Sequence, residues 1–213
     1  LFGRAQAVSV YSGTVQDDVA GKLTAYYMTK VFHRMLGLGR MDRVDFEGDD
    51  IDCAIVTYSN GARVWSNRSK LNWDVEGYTL PPKGWLVKGP DGFLEYRAMK
   101  DGIPVDVVRC GEYDFFASDK PVDFGPIVTD GAVAVVQHEP NVVTVYEIRK
   151  PAAAIGIRLS GLRTPLIGKR AVRAWAELTR ERKVPLEFPD WRQPSDPANP
   201  SAPRDIVQLR PVE

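Results

Sequence analysis

Six acidic residues crowd one short stretch of the chain: Asp42, Asp45, Glu47, Asp49, Asp50 and Asp52. Oxygen ligands at near-alternate positions are what Ca2+ takes, since it wants roughly six to eight of them. The stretch does not match the calcium-loop pattern of alternating Asp or Asn followed by glycine and a distal glutamate. It reads instead as an exposed loop and solvated strand face leading into a hairpin. A glycosidase would need two carboxyl groups held across a cleft. Glu95, Glu112 and Glu147 lie in strand-like runs, where the outward, solvated face is the expectation. No motif singles out any two acids, so no catalytic residue is assigned.

Nucleophilic chemistry has less to work with. There is no Gly-x-Ser-x-Gly elbow, and a Ser/His/Asp set would have to use His33 or His138, the only histidines. Gly37 and Gly39 follow a helix instead of opening one, so no phosphate-cradling loop is present. Cys53 and Cys110 are the only cysteines; two buried free thiols or one disulfide would both fit. No zinc ligand set accompanies them. Neither a metal nor another cofactor is expected.

The aromatic residues are more suggestive. Trp65, Trp73, Tyr78 and Trp85 fall within one short β segment. Sugar rings stack their C–H faces on exposed aromatic rings, so these four are candidates for a carbohydrate platform. Large aromatics also fill sandwich cores, and alternation alone favours the core.

The elements that would carry these residues are mostly strands. One amphipathic helix comes first, from Asp17 to Leu36, with Val19, Leu23, Tyr27, Val31 and Met35 at four-residue steps and Tyr26 and Phe32 widening the stripe. Gly37-Leu38-Gly39 should end it, glycine taking a left-handed cap conformation. Such a stripe needs a sheet or a neighbouring domain to lie against.

After Gly39 the period becomes alternating. Asn60-Gly61 between two β-rich runs predicts a hairpin with a type I′ turn. Turn signals at Glu76-Gly77, Pro81-Pro82-Lys83-Gly84, Pro90-Asp91-Gly92, Lys100-Asp101-Gly102, Asp130-Gly131 and Pro140-Asn141 separate further short runs. The runs expected as strands are 78–80, 85–87, 93–99, 103–110, 132–138 and 142–149. This spacing predicts a mainly β fold of one or more antiparallel sandwiches with an N-terminal helix.

Three regions are expected. Residues 1–39 form the helical segment, 40–150 an antiparallel sandwich, and 151–213 a partial second, Ig-like β domain with a proline-rich tail. In that last region, 152–159 and 205–210 read as strands. Lys169 to Arg182 reads as a helix or a strand pair, and Pro185 to Pro203 as an extended segment anchored by Trp191.

Composition excludes some partners. Lys+Arg equals Asp+Glu at 28 each, which argues against a dedicated nucleic-acid binder. The densest basic run, Lys169 to Lys183, is interrupted by Glu177 and Glu181. No apolar run is long enough to span a membrane. A chain that opens Leu1-Phe2-Gly3-Arg4 reads as a processed product or a fragment, with no signal peptide. Oligomeric state is not legible.

One segment is more specific. Tyr58-x-Asn60-Gly61-x-x-Val64-x-x-Asn67, then Trp73-x-Val75, then Tyr78-x-Leu80-Pro81-Pro82-x-Gly84-Trp85 resembles a C-terminal β-domain that follows the barrel of large glycoside hydrolases and glycosidase-like bacterial proteins. The resemblance is centred on Tyr58–Trp85 and extends from Asp17 to about Gly131. It implies a non-catalytic accessory β-sandwich region that packs on a catalytic barrel domain and helps to frame a sugar cleft. It also implies an extracellular or periplasmic setting. The barrel with its catalytic acids is not in this chain, so no catalytic residue is carried over. The alternatives are a free-standing carbohydrate-binding module, or an assembly module that binds a partner chain through the helix stripe.

Overall fold

The computed structural model describes residues 19–37, 39–48, 50–139, 142–149, 155–158, 162, 175–177, 183–187 and 206–211. The fold is mainly β, with antiparallel sheets and one helix near the N-terminus, as expected.

The large sheet runs in the order β1 (Met41–Glu47), β2 (Asp50–Tyr58), β3 (Arg63–Asn67), then β6 (Trp85–Lys88), β7 (Leu94–Lys100), β8 (Ile103–Arg109), β9 (Asp114–Ser118), β12 (Ala132–Glu139) and β13 (Val142–Arg149). Between β3 and β6 the chain detours through the hairpin β4 (Trp73–Val75) and β5 (Tyr78–Leu80), with β5 touching β7 at Thr79 and Met99. A second sheet joins β10 (Val122–Asp123) and β11 (Ile127–Thr129) to β14 (Ile155–Arg158), β17 (Ile206–Pro211), β16 (Lys183–Glu187) and β15 (Trp175–Glu177). Ile127 pairs with Ile157, so this sheet draws strands from both sides of residue 150. The 169–182 stretch contributes the strand Trp175–Glu177; Trp191 and most of the proline-rich tail lie outside the described residues.

Strand alternation divides the core by sheet face. On one face, Val56, Tyr58, Val64, Val87, Val108, Phe115, Ala132 and Ala134 pack under the helix α1 (Val19–Leu36). On the other, Cys53, Trp65, Leu86 and Ala98 lie under Trp73 and Leu80 of the β4–β5 hairpin. Further along that second face, Val105, Val107, Phe116 and Val133 meet Val122, Ile127 and Ile157 of the second sheet.

The helix seats with its C-terminal half. Met28, Val31 and Leu36 are buried, while Leu23 and Tyr26 of the expected stripe stay 40% and 47% exposed. Tyr113 fixes the crossing by donating its hydroxyl to the Tyr27 carbonyl at 2.6 Å. Lys30 and Arg34 meet Glu112 on the β8–β9 turn at 2.7 and 2.6 Å. The helix end corrects one expectation: Gly37 and Gly39 are not among the residues of positive φ. Asn60 supplies the cap, its Nδ2 donating to the Met35 carbonyl at 2.9 Å.

The Asn60-Gly61 hairpin is present, but its turn is not type I′. Only Gly61 has positive φ, and Gly61 N–H bonds the Tyr58 carbonyl while Tyr58 N–H bonds Ala62. This is a three-residue loop with glycine at its left-handed end. Among the described residues, both central φ values are positive in the turns at Glu76-Gly77, Asp91-Gly92 and Asp101-Gly102.

Candidate functional site

The segment from Tyr58 to Trp85 is built around one amide. Asn67 is fully buried, and its Nδ2 lies 2.8, 2.8 and 3.1 Å from the carbonyls of Leu71, Leu80 and Pro81. Its Oδ1 accepts from Ser69 N–H at 3.0 Å and from the Ser69 hydroxyl at 2.7 Å. Backbone bonds tie Asn67 to Lys83 and Gly84 as well. At Gly84 a Cβ would come within 2.8 Å of both the Pro81 and the Arg97 carbonyl oxygens. The Asn, Leu-Pro-Pro and Gly positions are thus structural: they bring the chain off the hairpin and aim Trp85 into the large sheet.

The four aromatic candidates separate. Trp65 is 1% exposed and Trp73 8%, so both are core residues; Arg63 also covers the Trp65 ring at 4.7 Å. Tyr78 is half-buried on the hairpin, 4.9 Å from the Tyr96 ring. Trp85 is half-buried on the opposite face of the sheet, the one α1 partly covers.

Beside Trp85 the strand register assembles a polar group. Trp85 pairs with Arg97, Arg97 with Asp106, and Asp106 with Ala117. Glu95 lies two residues before Arg97, so it shares the same face. The expectation that Glu95 points into solvent is overturned: it is 3% exposed. Its neighbours Leu94 and Tyr96 do point to the opposite side, but the face left to Glu95 is also covered. The indole of Trp85 donates to Glu95 Oε1 at 3.0 Å, while Oε2 has no hydrogen-bond partner among the described residues. Burial pushes the Glu95 carboxyl up to about 8 against that hydrogen bond, and nearby Asp106 adds to the rise. Glu112 is a half-exposed ion-pair partner of α1; the side chain of Glu147 lies outside the described set.

A recess of about 120 Å3 opens past Arg97, lined by Arg97, Pro104, Asp106, Ala117, Ser118, Asp119 and Arg149. Asp106 Oδ1 is buried without a hydrogen-bond donor and sits 3.7 Å from Arg97 Nε. Its carboxyl is raised above the usual range, chiefly by burial and opposed by Arg97. Arg149 pairs with Asp119 and donates to the Ser118 carbonyl at 2.8 Å. Two guanidinium groups, two carboxylates and a nearby indole therefore share one side of the sheet. Such a set can hydrogen-bond vicinal hydroxyls in pairs while a ring stacks alongside.

The acidic stretch at 42–52 shows no such convergence. Arg40 pairs with Asp42 and Arg43 with Asp45, and no group of metal-ligating side chains occurs among the described residues. Cys53 and Cys110 form no disulfide with each other and are buried in different core clusters. No helix among the described residues is long and apolar enough to cross a membrane.

The class defined here is a mainly β protein whose large antiparallel sheet has a helix on one face and a hairpin and second sheet on the other. No protein-family model, no curated protein and no solved structure matches the chain.

Proposed function

We propose that this chain is a non-catalytic accessory β region of a glycoside-hydrolase-like, carbohydrate-active protein, and that it meets sugar at the recess beside Trp85. The observation that carries the reading is a half-buried indole, Trp85, whose ring lies 6.0 Å from the Arg97 guanidinium, which in turn lines a small opening with Asp106, Asp119 and Arg149. Neutral sugars are held by apolar stacking and paired hydroxyl hydrogen bonds, and this group offers both.

The reading as non-catalytic follows from the acids. Asp106 lines the recess and Glu95 does not, so the two shifted carboxyls do not both open onto it as an acid–nucleophile pair would. Asp119 is 84% exposed and engaged with Arg149, unlike a general acid held neutral by burial. The recess suits one edge of a sugar unit, since sites that engulf a ligand run to about 300 Å3 and more.

Purified chain, screened against a panel of polysaccharides, tests this. Saturable binding without release of reducing ends is the expected result. Glycoside hydrolysis by the chain alone, or binding to none of the panel, would refute it.

A further inference from the structure

Among the described residues, the outermost strand of the large sheet, β1, has an open pairing edge. β1 pairs with β2 and, among the described residues, with no strand on its other side. An open edge offers a row of backbone N–H and C=O groups to any second strand, unless proline, a bulge or shortness blocks it. β1 has seven residues and no proline. Its register irregularities fall between Met41 and Arg43 and between Phe46 and Glu47, so 43–46 runs regularly. Apolar surface follows the same edge: Met41, Val44 and Phe46 are 52%, 43% and 45% exposed.

Charge selects the occupant. Two copies related by a two-fold axis normal to the sheet would lay β1 antiparallel to itself, with one residue facing its own counterpart. Placing Arg43 or Asp45 on the axis would set like charges opposite each other, which is destabilising. Placing Val44 there makes each Arg43 face an Asp45 of the other copy, twice over. The two Val44 side chains then meet on the opposite face, with each Phe46 diagonal to the other copy's valine. Within one chain Arg43 Nε lies 2.7 Å from Asp45 Oδ1, so both charges already stand together on the face where a second copy would complete a ring of four. We propose that the chain forms a two-fold dimer by antiparallel pairing of β1 in register about Val44.

Sedimentation equilibrium over a concentration series reads this directly. The wild-type chain should move from its 23.7 kDa mass toward twice that value. Arg43→Asp and Asp45→Arg should each weaken association at least tenfold, and the double variant should recover it. An equimolar mixture of the two single variants should associate although neither does so alone. Hydrogen exchange should slow across 42–46 as wild-type concentration rises. A wild-type chain that stays monomeric to its solubility limit overturns the proposal. So does a dimer indifferent to both charge reversals, or one without concentration-dependent protection in β1.

Discussion

The Trp85 indole donates a hydrogen bond of 3.0 Å to Glu95 Oε1, and both residues lie on the sheet face that α1 only partly covers. This bond joins a buried carboxyl to the aromatic ring that neighbours Arg97 of the recess, so the ionisation of one bears on the position of the other.

Stability should therefore fall with rising pH. The Glu95 carboxyl is raised to about 8 in the folded chain from a reference of 4.5. Between these values the folded state keeps a proton that the unfolded state has lost, so stability is full below the unfolded value and declines until about pH 8. The decline is on the order of a few kcal/mol at most. Glu95→Gln keeps an acceptor for the indole and should flatten the profile. Urea unfolding at pH 5, 7 and 9 checks this; a wild-type profile as flat as the variant's would contradict it.

Asn67→Ala should cost about 3 kcal/mol, because it strips the amide from the carbonyls of Leu71, Leu80 and Pro81 in a buried site. Glu112→Gln should cost under about 1 kcal/mol, since its ion pairs with Lys30 and Arg34 are well solvated. Denaturant midpoints of the two variants, measured side by side, provide the comparison.

Gly84→Ala should destabilise by about 1–3 kcal/mol, since the added methyl meets two carbonyl oxygens that belong to backbone. Gly111, where a Cβ would meet nothing within 4 Å, is the control. The Gly111→Ala variant should unfold within about 1 kcal/mol of wild type.

Both thiols should resist modification in the native state and react when the chain is unfolded, with no reductant required. Cys53 and Cys110 are buried in separate core clusters and form no disulfide with each other. A thiol-reactivity assay with and without denaturant counts them.

Strands 78–80, 85–88, 103–109 and 142–149 were legible because runs of β-forming residues lie between tight-turn signals. β9 was not, because all five of its residues are buried and alternation vanishes when both faces are covered. β1 was hidden by its charges, which sit in a fully formed edge strand. The site was less legible still. Leu94, Tyr96 and Ala98 mark the opposite face as apolar and thereby assign Glu95 to the other side. Alternation does not say what covers that side, and here a neighbouring strand's indole and the helix-bearing layer do. Trp65 and Trp73 were indistinguishable from Trp85 by type and spacing; only tertiary packing separates them.

Titrating the chain's tryptophan fluorescence with a sugar that it binds is the most direct trial of the recess as a binding site. A saturable response should persist in Trp73→Phe and disappear in Trp85→Phe and in Asp106→Asn. A response that survives both of the latter changes, or one abolished by Trp73→Phe in a folded chain, would contradict the account.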